Sequence, residues 1–238
     1  MVTGGARRLG KDIAHELAGA GFDIVLNYNS APEDILQETL AGLANYNVKI
    51  FPVKADVSKV SEIREMFAKV KAEFGRLDVL VNNAAIFEKV NLLDVTEEVF
   101  DRFIDTNLKS VLFCTQEAVK IMRGTAEEPG CIINIASLGA LMNWTQFMMN
   151  SLTKTAVVKL TKISAKQLAP DILVNALALG TVVIENDENR TVDADEVKRY
   201  PAGRFAVSKD VTKVIKHLAC ENNYITGDVF VIDGGRIL

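Results

Sequence analysis

Apolar residues fall into two alternating rhythms along the chain. Short, nearly all-apolar runs occupy Ile24–Tyr28, Val48–Val53, Val79–Val81, Cys131–Ile135, Leu173–Leu177 and Val229–Ile232. That is the signature of parallel strands buried on both faces. Between them apolar residues recur at three- and four-residue steps, which predicts helices over Gly10–Ala20, Val60–Phe74, Glu97–Met122, Ser151–Leu168 and Ser208–Cys220. In Glu97–Met122, the residues Phe100, Phe103, Ile104, Leu108, Val111 and Leu112 mark one buried stripe. Strict alternation of strand and helix implies right-handed crossovers, hence an α/β fold with a doubly wound parallel sheet and helices on both faces. No repeat, low-complexity tract or Pro/Gly linker divides the chain, so residues 1–238 are expected to form one domain. Two places break the rhythm. Thr181–Pro201 is polar and acid-rich (Glu185, Asp187, Glu188, Asp193, Asp195, Glu196) and reads as a lid-like segment. At the start, only Met1-Val2 precedes Thr3-Gly4-Gly5 where a first strand should run, which leaves open whether that strand is a stub or the natural chain begins earlier.

Composition narrows the function classes. With 238 residues, 49% of them hydrophobic and 24% charged, the chain has material for a core and is not disordered. Twenty-seven basic against 31 acidic residues, a formal charge of −4, argue against a nucleic-acid surface. No apolar run approaches the roughly 18 residues of a membrane span, and the N-terminus lacks the pattern of a signal peptide. No membrane partner is expected, and the expected location is cytoplasmic. Cys114, Cys131 and Cys220 lie far apart in apolar stretches and read as buried reduced thiols. The only histidines are His15 and His217, and no metal site is expected.

The candidate chemistry begins at Thr3-Gly4-Gly5-Ala6-Arg7-Arg8-Leu9-Gly10, which leads straight into a helical pattern. A glycine-rich turn opening a helix lets backbone approach a pyrophosphate at the positive end of the helix dipole. Arg7 and Arg8 suit a ligand with an additional phosphate, because guanidinium makes bidentate contacts to phosphate oxygens; the alternative is solvated surface charge. A site for NAD would place an acid at the end of the second strand. Here Asn27-Tyr28 runs into Asn29-Ser30 with no carboxylate. Neutral donors beside two arginines accept a 2′-phosphate that an acid would repel, which points to NADP(H).

These pieces belong together. The chain resembles the classical short-chain dehydrogenase/reductases, Rossmann-like enzymes, over essentially its full length. The resemblance rests on Thr3-Gly4 through Gly10, Asp56-Val57 after the third strand, Val81-Asn82-Asn83-Ala84-Ala85 after the fourth, Asn107, Ser137, Lys154, Gly180, and Val231-Ile232-Asp233-Gly234-Gly235. The turn, with Arg8 where most members have a middle glycine, looks most like the pteridine-reductase branch, which uses NADPH. The resemblance implies that Gly4 to Leu9 hold the cofactor's phosphates and that Asp56 and Val57 contact its adenine. It implies that Asn83 and Ala84 line the path of the riboses, and that Gly180 follows the sixth strand beside the nicotinamide. Lys154 would hold the nicotinamide ribose, Ser137 would bond the substrate carbonyl, and Asn107 would hold a water connecting Lys154 to solvent. Each has a plainer alternative: Asp56 could cap the next helix, Asn107 could be a satisfied helix residue, Lys154 could be a solvated charge. The family also implies a homotetramer or dimer packed through Glu97–Met122 and Ser151–Leu168.

One position departs from the pattern. The family places tyrosine four residues before the lysine as the proton donor; here position 150 is Asn, in Met148-Met149-Asn150-Ser151-Leu152-Thr153-Lys154. An amide can polarise a carbonyl by hydrogen bonding but does not give up a proton, and general acid catalysis is worth roughly 10²–10⁴-fold. Asn150 could instead simply cap the helix. Ser151 and Thr153 point elsewhere around the helix, while Tyr200 could fold over the cleft. The run Trp144–Met149 suggests a greasy pocket wall, and Leu179 stands before Gly180 where the family has proline. Three readings follow: an NADP(H)-dependent oxidoreductase acting on a small carbonyl/alcohol or enone with an atypical proton donor; an NADP(H)-binding protein without turnover, serving as sensor or partner subunit; and a structural subunit of a hetero-oligomer. The first is preferred.

Overall fold

Alternate residues of each strand enter different helix layers. The computed structural model describes residues 1–123, 128–184 and 194–238. Its elements in chain order are α1 (Arg8–Gly19), β1 (Ile24–Tyr28), α2 (Glu33–Leu43), β2 (Ile50–Lys54), α3 (Val60–Phe74), β3 (Val79–Asn82), α4 (Glu97–Ile104), α5 (Ser110–Met122), β4 (Gly130–Ser137), α6 (Met148–Leu168), β5 (Ile172–Leu179), β6 (Val182–Val183), α7 (Ala194–Val197), β7 (Ala206–Val207), α8 (Ser208–Cys220) and β8 (Val229–Ile232). Ile24 and Leu26, Val79 and Val81, Ile133 and Ile135 pack with Ile13 and Leu17 of α1, Leu36 and Leu43 of α2, and Val211 and Ile215 of α8. Val25, Leu80, Ile132 and Val174 pack instead with Ile63 and Phe67 of α3, Cys114 and Ala118 of α5, and Ala165 of α6. Period-two alternation thus divides the core between two helix layers.

Strand pairing is parallel throughout, β2 with β1 and, in the larger group, β3-β4-β5-β8. Val2 joins the two groups by parallel bridges to both Leu26 and Val81. Val2 and Thr3 hold the strand position between β1 and β3: Val2 N–H donates to Val25 O (3.0 Å), Thr3 N–H donates to Val81 O (3.0 Å) and Val2 O accepts from Asn27 N–H (3.1 Å). The order therefore reverses at Val2, and the crevice beyond the carboxyl ends of the strands at such a point is where open α/β sheets bind ligands. Inside the sheet, Asn82 Nδ2 donates to Asn134 Oδ1 (2.8 Å), and Asn134 Nδ2 donates to Thr161 Oγ1 of α6 (2.9 Å). This buried chain fixes the face that α6 turns to β4.

The structure corrects several expectations. Helix α2 follows Pro32, with Glu33 and Asp34 in its first turn; proline and acids are start signals that the weaker apolar period concealed. Glu97–Met122 is helical throughout, but a π turn over Asp105–Lys109 lies between α4 and α5. A π turn holds an extra residue and rotates the face that follows it; before the turn Phe103 is buried and Phe100 exposed, and after it Val111 is buried and Leu112 exposed. Cys114 and Cys131 are buried, and burial pushes both thiols up to about 12. Cys220 is exposed at the end of α8. Of the acid-rich segment, residues 185–193, with Glu185, Asp187, Glu188 and Asp193, lie outside the described residues. On either side of them β6 pairs with β7, and Asp195 binds Lys198 (2.7 Å). Among the described residues, no helix is long and apolar enough to cross a membrane, and no group of three or more His, Cys, Asp or Glu side chains could hold a metal.

Candidate active site

The turn from Thr3 to Gly10 is locked to its neighbours before any ligand arrives. Thr3 Oγ1 accepts from the backbone N–H groups of Asn83 (2.9 Å) and Ala84 (3.0 Å), and Asn83 Nδ2 returns a bond to Thr3 O (2.9 Å). Asn27 Oδ1 accepts from Gly4 N–H (3.2 Å), while its Nδ2 donates to Ala55 O (3.0 Å). The ends of β1, β2 and β3 are thereby tied to one turn. Position 10 admits only glycine, because a Cβ there would stand 2.1 Å from Gly4 O. Arg8, at the first turn of α1, has φ of 52°. The left-handed backbone explains why a glycine is usual at this position and costs arginine roughly 1–2 kcal/mol. The cradle has the close backbone approach that a pyrophosphate requires, so the residues fit a dinucleotide.

A cleft of about 790 Å³ opens from this turn, within the size range of cofactor sites. Of the residues the sequence singles out, Gly4, Arg7, Arg8, Leu9, Tyr28, Asn29, Ser30, Asp56, Val57, Asn83 and Ala84 line it together. Among the described residues, the carboxylates on its wall are Asp56 and Glu88. Asp56 Oδ1 accepts from the backbone and the hydroxyl of Ser58 (3.0 and 2.7 Å), shaping the turn that enters α3. Glu88 is held by Arg102 through two bonds (2.6 and 2.7 Å), which keep its carboxyl below the usual carboxylate range. This pair at the cleft edge escaped the sequence reading because its members stand 14 positions apart with no motif joining them.

Ser137, Asn150, Lys154 and Asn107 are all buried beneath the adjoining wall. Ser137 ends β4, and its Oγ accepts from Gly139 N–H (3.2 Å). Lys154 is 4% exposed, not a solvated charge. Its Nζ donates to Ile135 O (2.6 Å), and burial lowers its pKa from 10.5 to about 8. Asn150 does not cap α6: the helix starts at Met148, so Asn150 lies inside the first turn, 2% exposed, with a buried Nδ2 that has no partner. The Ser151 hydroxyl is likewise buried without a partner. It and Ser137 Oγ stand 2.7 and 3.5 Å from the point that a Cβ on Gly139 would occupy. Only that missing side chain brings Ser151 beside Ser137, a closeness that helical angle alone did not reveal. Asn107 clamps the loop after β3, its Oδ1 accepting from Ile86 N–H (2.8 Å) and its Nδ2 donating to Ile86 O (2.9 Å).

Aromatic rings close the wall. Phe87 stacks on Phe147 (4.3 Å), Trp144 meets Phe147 edge-on (6.2 Å), and Val90 N–H bonds Gln146 O (3.0 Å). Tyr200 is buried edge-on against Phe205 (4.9 Å) with Arg236 over its ring, an anchored packing residue. Gly180 bonds Ile232 O (2.9 Å) and abuts the Asp233 backbone.

A family model described as enoyl-(acyl carrier protein) reductase matches residues 4–236. The chain belongs to the short-chain dehydrogenase/reductase family. It is 35% identical to the 3-oxoacyl-(acyl-carrier-protein) reductase FabG of Staphylococcus epidermidis, over all of this chain and 98% of that protein. It is 33% identical to a 3-oxoacyl-(acyl-carrier-protein) reductase of Synechocystis, over all of this chain and 96% of that one. A short-chain type dehydrogenase/reductase from Mycobacterium marinum superimposes with a TM-score of 0.88 at 31% identity, covering 99% of this chain and 93% of that chain. A blue fluorescent protein from a metagenomic library, solved in complex with NADPH, superimposes with a TM-score of 0.90 at 25% identity, covering all of this chain and 96% of that chain.

Proposed function

We propose that the protein is an NADP(H)-dependent oxidoreductase acting on a small carbonyl/alcohol or enone substrate, with a proton donor other than tyrosine. The observation that carries the cofactor assignment is the end of β1, which runs into Asn29 and Ser30 rather than an acid and lines the cleft together with Arg7 and Arg8. In this reading the turn from Gly4 to Leu9 holds the pyrophosphate and the rim holds the 2′-phosphate. Asp56 and Val57 contact the adenine, Asn83, Ala84 and Gly180 flank the riboses and nicotinamide, and Lys154 holds the nicotinamide ribose. The bound cofactor supplies hydride. Ser137 orients the carbonyl, and the aromatic wall of Phe87, Trp144 and Phe147 keeps water away from it. The 3-oxoacyl reductases at 33–35% identity support a 3-oxoacyl compound as the first substrate to try. Exposed Phe100, Leu112, Leu152 and Ile163 on α4, α5 and α6 support a homo-oligomer, dimer or tetramer, built through those helices in the cytoplasm.

Asn150 favours a second reading, an NADP(H)-binding protein without turnover. The deciding experiment is titration with NADPH and NADH, followed by NADPH oxidation over a panel of 3-oxoacyl thioesters, aldehydes, ketones and enones. Tighter NADPH binding with turnover of one class is expected. Equal affinity for the two dinucleotides refutes the cofactor assignment. If wild type and Asn150→Tyr both bind NADPH and neither oxidises it with any compound, the second reading stands.

A further inference from the structure

The buried groups around Lys154 hold more hydrogen-bond donors than the fold uses. An ammonium carries three N–H bonds, and one of them goes to Ile135 O. Asn150, one helical turn earlier on the same face of α6, has a buried Nδ2 with no acceptor, and the Ser151 hydroxyl beside Ser137 is in the same state. Buried donors are normally paired, so this pocket is built to receive an acceptor. The carbonyl that holds the Lys154 ammonium belongs to Ile135, two residues before Ser137 on β4, and Ser151, next to Asn150, reaches Gly139 in the turn that follows Ser137.

We propose that Lys154 is the proton donor to the substrate carbonyl oxygen, and that the Asn150 amide N–H and the Ser137 hydroxyl hold that oxygen. The inference rests on the oxidoreductase reading above and names the donor which that reading leaves open. In the reductive direction the carbonyl carbon accepts hydride and its π pair moves onto oxygen. The oxygen takes a proton from the ammonium, the N–H bond breaks with its electron pair left on Nζ, and the neutral amine regains a proton from water. An amide at 150 is shorter than a phenol and carries no proton that it could give up in place of the ammonium. Lys154 can act because it titrates near neutrality, about 8, through desolvation alone, and general acids work best there. The elements packed on this face of α6 are β4, β5, the turn Leu138–Ala140, the π turn and α4. Their charged groups are Asp105 and Lys109, which pair with each other, Arg102, which pairs with Glu88, and Glu97, Glu98 and Asp101 on exposed α4. None of them contributes to the shift at Lys154.

The test measures kcat against pH for the best compound of the panel, beside the titration of Lys154 itself in ε-¹³C-lysine-labelled protein. The resonance is assigned by its disappearance in Lys154→Met. The expected kcat is level below about 8 and falls tenfold per pH unit above it, with the Lys154 resonance titrating over the same range. Lys154→Arg keeps the charge but cannot deprotonate; at saturating NADPH, checked by fluorescence titration of the variant, it should lower kcat by about 10²-fold or more. A kcat level to pH 10, a Lys154 resonance titrating at its ordinary value, or wild-type kcat in Lys154→Arg each overturns the proposal and leaves the oxidoreductase reading standing. Should Lys154→Arg fail to fold, the wild-type profile and titration decide alone. Absence of NADPH oxidation with every compound overturns both.

Discussion

Replacing Lys154 with methionine should change the stability of the ligand-free protein by an amount that depends on pH. The ammonium is buried with no ionised partner among the described residues, and its pKa falls from 10.5 to about 8. A drop of about 2.5, at about 1.4 kcal/mol for each pH unit, makes the buried charge cost about 3 kcal/mol. The sign follows from proton counting. Between 8 and 10.5 the unfolded chain binds a proton at this lysine that the folded chain has released, so raising the pH favours the fold. Below 8 both states carry the proton and the full cost is present; above 10.5 neither does and it is gone. Methionine has no such dependence, and the lost bond to Ile135 adds a constant. The stability of wild type minus that of Lys154→Met should therefore rise by about 3 kcal/mol from pH 8 to 10.5. Urea unfolding followed by fluorescence of Trp144, the only tryptophan, measures both proteins, and titrations elsewhere cancel in the difference. A difference level across pH 7 to 10.5, or one that falls, would refute the claim that this charge is held at a cost.

Four further outcomes are expected. Arg8→Gly keeps the left-handed backbone but removes the guanidinium; calorimetry should find NADPH affinity lower by about 1–3 kcal/mol and NADH affinity unchanged. In Gly10→Ala the new methyl meets Gly4 O at 2.1 Å; both dinucleotides should bind weakly, and urea unfolding should show a loss of about 1–3 kcal/mol. Asn150→Leu removes the partnerless buried Nδ2; the ligand-free protein should gain about 1–3 kcal/mol while kcat falls. Light scattering at micromolar concentration should give the mass of a dimer or tetramer, and a monomer would remove α4, α5 and α6 as an interface.

The sheet was legible because its strands are buried on both faces and leave apolar runs such as Cys131–Ile135 that no helix pattern imitates. Element edges were not. Nothing in the run Asp105–Lys109 announces a π turn, whose cause is tertiary: Asn107 must reach the Ile86 backbone. The apolar period then carries across it unbroken in sequence but not in space, and Leu112, beyond the turn, reads as core and stands exposed. Likewise α6 begins at Met148, before its apolar spacing starts, because Ser151 N–H finds Phe147 O (2.9 Å).

The two halves of the site differed in legibility for a physical reason. The phosphate turn is local: backbone conformation sets it, and glycine at 4 and 10 is close to a statement of that conformation. Even the exception is local, since Arg8 occupies a backbone that glycine would adopt freely. The acceptor end is not local. What decides its chemistry is which buried groups lack partners, and that depends on where Gly139 lets Ser151 approach Ser137 and on burial as the cause of the shift at Lys154 among the described residues. A sequence shows that an amide stands where a phenol is usual; it does not show that the amide N–H is left without an acceptor. A protein gains nothing for its stability by burying Asn150, Ser151 and a charged Lys154 this way. Polar groups kept in one pocket at such a cost point to an acceptor that arrives only with the ligand.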